Sequence, residues 1–127
     1  MRLAVLADIH ANLPALEAVI ADMAAFDIDH VVVAGDSINW GPYPAQVIER
    51  IMRDHWAVIR GNHEFYMLEW DQPHAPAYRR EWTLPRWLNE AIPDRWRQVI
   101  AALPDSLMLH FPGVPPVQVL HASSGDH

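Results

Sequence analysis

This sequence predicts an α/β fold, and three observations carry the prediction. Val31-Val32-Val33 is a β-branched run with no polar alternation, the pattern of a strand buried on both faces. Apolar runs at residues 3–7 and 56–59 flank it, each separated from it by a stretch of helical periodicity. That order, strand–helix–strand–helix–strand, implies a parallel sheet with right-handed crossovers. Each of the three runs also ends in a small group of oxygen- and nitrogen-bearing side chains. Open α/β sheets place their ligands at the carboxyl ends of their strands.

Taken in order, the first strand runs into the loop Asp8-Ile9-His10-Ala11-Asn12. Pro14 suits the first turn of a helix, with Asn12 or Leu13 near its cap. Leu16, Val19, Ile20, Met23 and Ala24 then recur at helical spacing and form one apolar stripe able to cover a sheet. Asp27-Ile28-Asp29 returns the chain to the second strand, which Gly35 ends, leaving Asp36 at its carboxyl end. Gly41-Pro42-Tyr43-Pro44 is a turn, and Val47, Ile48, Ile51 and Met52 mark a second amphipathic helix. The third strand, 56–59, leads into Gly61-Asn62-His63-Glu64, where Glu64 most simply begins a helix as a carboxylate suited to the dipole.

Residues 65–103 differ in character. Helical pieces are expected at 65–70, 78–89 and 94–102, with Pro73, Pro76, Pro85 and Pro93 breaking or capping them. Trp70, Trp82, Trp87 and Trp96 lie here. The stretch reads as a helical insertion leaning over the strand ends. Its tryptophans are expected to fill the core of a small helical layer, with stacking on a nucleobase or aryl group as the alternative. Residues 106–111 and 117–120 form a hairpin joined through Pro112-Gly113-Val114-Pro115-Pro116, and the second of these strands delivers His121. Residues 1–127 are expected to form a single domain.

Bulk properties narrow the function. The chain is 51% hydrophobic and 20% charged, as in a soluble globular protein. Its formal net charge is −7 and its nine Lys and Arg form no run, which disfavours a nucleic-acid polymer as partner. The absence of Cys excludes disulfides and thiolate ligands. No stretch approaches the ~20 apolar residues of a spanning helix, so no membrane partner is expected and the expected location is cytoplasmic.

Asp8 and His10, two apart in an extended loop, can turn to the same side. Carboxylate oxygen and imidazole nitrogen together suit Mn²⁺, Fe²⁺, Zn²⁺ or Ni²⁺. Asp36 supplies a second carboxylate able to bridge two ions ~3.5–4 Å apart, the spacing of two-metal phosphoester chemistry. Asn62 can add an amide oxygen and His121 an imidazole.

Together, Asp8-x-His10, Gly35-Asp36, Gly61-Asn62-His63-Glu64 and the strand-end His121 resemble the calcineurin-like metallophosphoesterases. The closer resemblance is to the small bacterial and archaeal phosphodiesterase branch. It rests on Asp8-Ile9-His10-x-Asn12 leading into Ala15-Leu16, on Gly35-Asp36-x-x-x-x-Gly41-Pro42-x-Pro44, and on Leu103-Pro104-Asp105-Ser106-Leu107. The resemblance implies a β-sandwich flanked by helices, of the four-layer αββα type. It implies that Asp8 and His10 hold a first divalent metal, that Asp36 bridges, and that Asn62 and His121 hold the second. Manganese is the expected metal, with iron, zinc or nickel as alternatives. His63 is implied to face the phosphate as the catalytic group. The implied function is metal-dependent hydrolysis of a small phosphoester, a phosphodiester or phosphomonoester, by a hydroxide that two metals activate.

Asn12 and Asn39 sit beside the metal loops and are candidates for substrate contact, with turn formation as the alternative. His30, His55, His74 and His110 match no motif and read as surface or structural residues. One departure from the family stands out: its Gly-His-x-His loop, expected after the His121 strand, has no counterpart, and only His127 follows. The fold is therefore expected to be incomplete at its carboxyl terminus. A homo-oligomer completing the sheet and site is one consequence to test. The competing reading is a degenerate, non-catalytic module that binds a metal or partner and oligomerises.

Overall fold

The structure, a computed structural model, describes residues 1–122; the side chains of residues 79 and 80 lie outside the description. Strands β1 (Leu3–Leu6), β2 (His30–Ala34) and β3 (Ala57–Ile59) alternate with helices α1 (Leu13–Met23) and α2 (Pro44–Arg53). The three strands form one parallel sheet in the order β1-β2-β3, with Leu6 beside Val33 and Ala34 beside Ile59. β2 is central, which is why its valines are uninterrupted. Val33 packs with Val58 against Leu16 of α1 and Val47 and Ile51 of α2. Val32 and Ala34 pack with Ile59 against Val119 on the opposite face.

That opposite face is covered by the hairpin of β4 (Ser106–Leu109) and β5 (Val117–Leu120), which pair antiparallel with Leu107 beside Val119. Leu107 and Leu109 join the same apolar layer, while Met108 points away and is half exposed. The described layers are thus helix, sheet, sheet. Each fully buried Val, Leu or Ile contributes roughly 1.5–3 kcal/mol, so this double-sided burial of β2 anchors everything that follows it in the chain.

A third apolar cluster lies among the helices. It joins Ile48 of α2 to Met67 of α3 (Asn62–Glu69), Leu88 of α5 (Thr83–Ala91), Ile92, and Ile100 of α6 (Asp94–Ala102). Ile38, two residues beyond Asp36, is buried in the same cluster, so the insertion docks on the loop that follows β2. It differs from expectation in two places. First, α3 starts at Asn62 rather than near Phe65, because the Glu64 carboxylate accepts from the Gly61 N–H (2.7 Å) and closes the first turn. Second, the helix expected at 78–89 is broken into α4 (Ala77–Arg80) and α5, because Pro85 fits only a first turn. No helix among the described residues is long and apolar enough to cross a membrane.

Candidate metal centre

Three loops meet at the carboxyl ends of β1, β2 and β3, and their backbones are locked together before any side chain is considered. The N–H groups of Asp8, His10 and Ala11 donate to the carbonyls of Gly35 (3.2 Å), Asp36 (2.9 Å) and Ser37 (2.9 Å), carrying the β1–β2 pairing on into irregular chain. Gly41 N–H then donates back to His10 O at 2.9 Å. Asp8, His10, Ala11, Asp36, Asn39 and Trp40 all have positive φ, a conformation that costs non-glycine residues energy and gathers at functional sites.

Glu64 ties the third loop to the second. Its two carboxylate oxygens accept from the N–H groups of Asp36 (3.0 Å), Ser37 (2.8 Å), Ile38 (3.3 Å) and Gly61 (2.7 Å). Only 1% of its surface is exposed. Burial pushes the Glu64 carboxyl up, and the Asp36 charge adds to that, while the N–H groups of Gly61, Ser37 and Asp36 hold it down. Two glycines allow the close approach. A Cβ on Gly61 would sit 2.1 Å from Asp36 Oδ1, and one on Gly35, whose φ is +89°, would sit 2.6 Å from His121 Nδ1.

Asp36, 3% exposed, is the centre of the side-chain cluster. Its Oδ1 accepts from the His63 N–H at 3.0 Å. Its Oδ2 faces three imidazoles: His121 Nε2 at 3.3 Å, His63 Nε2 at 3.8 Å and His10 Nε2 at 4.0 Å. Asp8 Oδ1 lies 3.5 Å from His10 Nε2. His121 Nδ1–H donates to the Ala34 carbonyl at 2.7 Å, which leaves the Nε2 lone pair facing another acceptor, Asn62 Oδ1, at 3.1 Å. A backbone carbonyl on the far nitrogen is the usual way of aiming the other nitrogen at a metal.

This donor set fits divalent cations. Two triads, Asp8–Asp36–His121 and His10–Asp36–His63, each bring three ligand atoms within 4.8 Å of one another. His10 Nδ1 is buried without a hydrogen-bond partner, so the ring's pose is accounted for by what its Nε2 meets. Asp8, His10, Asp36, Asn62 and His121 are therefore brought to one place. Asn12 is not in that cluster: its Oδ1 caps α1 by accepting from Ala15 N–H at 3.1 Å. His127 lies outside the described residues.

Asn39 is buried, touches His63 and is among the residues that line a cavity beside that ring. Trp40 N–H donates to Asn39 Oδ1 at 2.9 Å, which turns the amide NH₂ toward His63 Nδ1. With Nδ1 accepting, the neutral ring carries its proton on Nε2, the nitrogen that faces Asp36 and His10. Burial lowers the His63 pKa, and the Asp36 charge only partly offsets it. An imidazole lowered in this way stays neutral in the fold while the unfolded chain binds a proton, so stability is lost as pH falls below 6.5. Chelator-treated protein should therefore lose more thermal stability between about pH 8 and about pH 5.5 than His63→Gln does. Equal losses would show that His63 titrates alike in both states.

Sequence reasoning did not anticipate the parts played by Glu64 and Asn39. Glu64 three residues after Gly61 is a helix-start spacing, and nothing local reveals that its carboxylate also serves the Asp36 loop. For Asn39 the available signal is its tolerance of positive φ, here 78°. The tryptophans were expected in a helical core. Trp96 does pack there, but Trp82 and Trp87 are 44% and 40% exposed, and Trp82 lines a cavity of about 610 Å³ that also borders His63.

Residues 1–111 match the calcineurin-like phosphoesterase family. Over 66 residues, 52% of its length, the chain is 35% identical to an uncharacterized protein of Methanocaldococcus jannaschii and covers 27% of it. The fold is similar to that of a metallophosphoesterase from Sphaerobacter thermophilus, with a TM-score of 0.66 and 28% identity over 84% of this chain and 42% of that one. It is also similar to the E. coli phosphoesterase Yfce, with a TM-score of 0.57 and 21% identity over 96% of this chain and 58% of that one, a likeness of fold. The chain thus spans about a quarter of the curated relative it matches and about two-fifths of the Sphaerobacter enzyme. Strand-end loops that gather two carboxylates and three imidazoles, and a family match that spans all three loops, lead to one assignment: this chain belongs to the calcineurin-like phosphoesterase family.

Proposed function

We propose that the chain hydrolyses a small phosphoester with the help of two divalent metal ions, manganese being the first to test. The observation that carries this reading is the convergence on Asp36 Oδ2 of three imidazole nitrogens, with Asp8 and Asn62 at the margins. Asp8, His10 and Asp36 would hold one ion, and Asp36, Asn62 and His121 the other. When bound, such ions supply Lewis acidity, acidifying water and neutralising phosphoryl charge. The chain's own contribution is the frame and a proton donor. Asn39 holds His63 with its proton on Nε2, the side from which it can hydrogen-bond a phosphoryl oxygen or protonate a departing one. The triad that includes His63 favours a second reading, in which this imidazole is itself a ligand.

Hydrolysis of bis(p-nitrophenyl) phosphate, followed against manganese concentration, tests both. Wild type should show metal-dependent turnover, and His63→Gln should lose about 10²- to 10⁴-fold in kcat with manganese affinity changed less than about threefold. A tenfold loss of manganese affinity in His63→Gln would instead make His63 a ligand. Wild type without manganese-dependent turnover would overturn the catalytic reading in favour of a binding module.

A further inference from the structure

Among the described residues β1 has one neighbour in its sheet, β2, so half of its backbone polar groups are left without a ladder. Alternation along the strand decides which half. The Arg2 carbonyl accepts from the N–H groups of Asp29 and His30, and the Asp8 N–H donates to the Gly35 carbonyl. Residues in step with Arg2 and Asp8 therefore face β2, and Leu3, Val5 and Ala7 turn their N–H and C=O groups outward. The opposite edge of the sheet is closed differently: just beyond β3, the Arg60 N–H is taken by the Pro104 carbonyl.

Folded proteins blunt an exposed edge with a charge, a proline or a bulge. The run Leu3-Ala4-Val5-Leu6-Ala7 holds no charge and no proline, and β1 pairs with β2 in unbroken register. Val5 at its middle is 61% exposed. Apolar surface continues beside the edge, where Val5, Ala7, Ile9, Ala15 and Val19 line a groove between β1 and α1. The residues at the two ends of the run say which strand fits. Arg2 and Asp8 flank it, each with its side chain more than half exposed. An antiparallel copy of β1 centred on Val5 sets Leu3 opposite Ala7, so that all the outward groups find partners. That same register brings Arg2 of each copy beside Asp8 of the other. Each chain carries a net charge of −7, so self-association needs local opposite charges of this kind.

We propose that two copies of this chain associate edge to edge through β1, joining their three-stranded sheets into one continuous sheet about a two-fold axis at Val5. The main-chain hydrogen bonds of Leu3, Val5 and Ala7 supply the pairing. Two Arg2–Asp8 pairs fix its register, and the added strand covers Val5. The association stands apart from the phosphoesterase reading, because it rests on the edge and not on the metal centre. The two are compatible: a carboxylate that holds a metal through one oxygen can accept from a guanidinium through the other. Arg2 of the second copy would then stand at the margin of each centre.

Sedimentation equilibrium of the full chain, from about 1 to about 100 µM, reads the association directly. Wild type should reach twice the single-chain mass within that range. Val5→Lys and Val5→Glu should each stay at the single-chain mass, because like charges then meet across the axis. Their equimolar mixture should regain the double mass, since opposite charges then meet there. Arg2→Glu, which sets two acidic side chains together at each end of the seam, should weaken the dimer by at least about tenfold. A single-chain mass for wild type at the highest concentration would overturn the proposal. So would a double mass that neither Val5 substitution changes, which would put the contact on another face. A mixture of the two Val5 variants that stays at the single-chain mass would overturn it as well, because loss of fold in each variant, and not loss of the seam, would then explain their monomeric state.

Discussion

Asp36→Asn is expected to weaken manganese binding by at least about 100-fold and to bring phosphodiester hydrolysis down to background. The size follows from position. Asp36 is the residue shared by both candidate triads, and its Oδ2 lies within 4.0 Å of three imidazoles. Replacing that oxygen by an amide nitrogen removes the negative charge and turns N–H donors toward the cation position. Asparagine preserves shape, and its Oδ1 can still accept from the His63 N–H as the aspartate does. The variant should therefore remain folded, with a Tm within about 3 °C of wild type in chelator. Calorimetric titration with manganese gives the affinity, and thermal unfolding gives the control. Undiminished affinity would mean that Asp36 is a structural carboxylate.

The second large effect is on stability. Glu64→Ala removes the acceptor for four buried N–H groups at once, those of Asp36, Ser37, Ile38 and Gly61. A buried donor left unpaired costs about 1–3 kcal/mol, and helix N1 to N3 can rearrange to recover only some of it. A loss of about 3–5 kcal/mol is expected in denaturant unfolding, out of the 5–15 kcal/mol or so typical of a domain. Glu64→Gln should cost about 2 kcal/mol, because an amide offers one acceptor oxygen and sets its NH₂ against backbone donors. An alanine variant within 1 kcal/mol or so of wild type would show that water satisfies these groups and that the carboxylate is dispensable.

What was legible in the sequence is what local pattern encodes. The valines of β2 announced a strand covered on both faces, and the Asp, His and Asn residues after each strand announced where polar side chains would gather. Parallel strands leave little freedom in where their carboxyl ends point, so Asp8, Asp36 and Asn62 had to converge. What was not legible depends on partners distant in sequence. Glu64 looks like a helix-start residue until the Asp36 loop, 28 residues earlier, is folded against it. Asn39 looks like a turn residue until His63 arrives beside it. Trp82 and Trp96 are equally apolar in a helical stretch, yet one packs in the helical core and the other faces a cavity. Trp82 lies at the break before α5, which Pro85 sets, whereas Trp96 lies within α6.

The hairpin gives the centre an order of assembly. Asp8, Asp36 and His63 belong to consecutive strand–helix units and meet by short closures, whereas His121 reaches the Ala34 carbonyl across 87 residues. Closing that span costs about 1 kcal/mol more chain entropy than closing the 28 residues between Asp36 and Glu64. The hairpin repays it through an apolar layer around Val119, the Arg60 N–H on the Pro104 carbonyl and the Arg60–Asp105 ion pair, with no strand pairing to the parallel sheet among the described residues. It is thus expected to fold back last and to detach first, as hydrogen exchange of its amides would check. Detachment carries away His121 while Asp8, His10, Asp36 and Asn62 stay in place, so two ions held here would exchange at unequal rates, the one beside the hairpin leaving sooner.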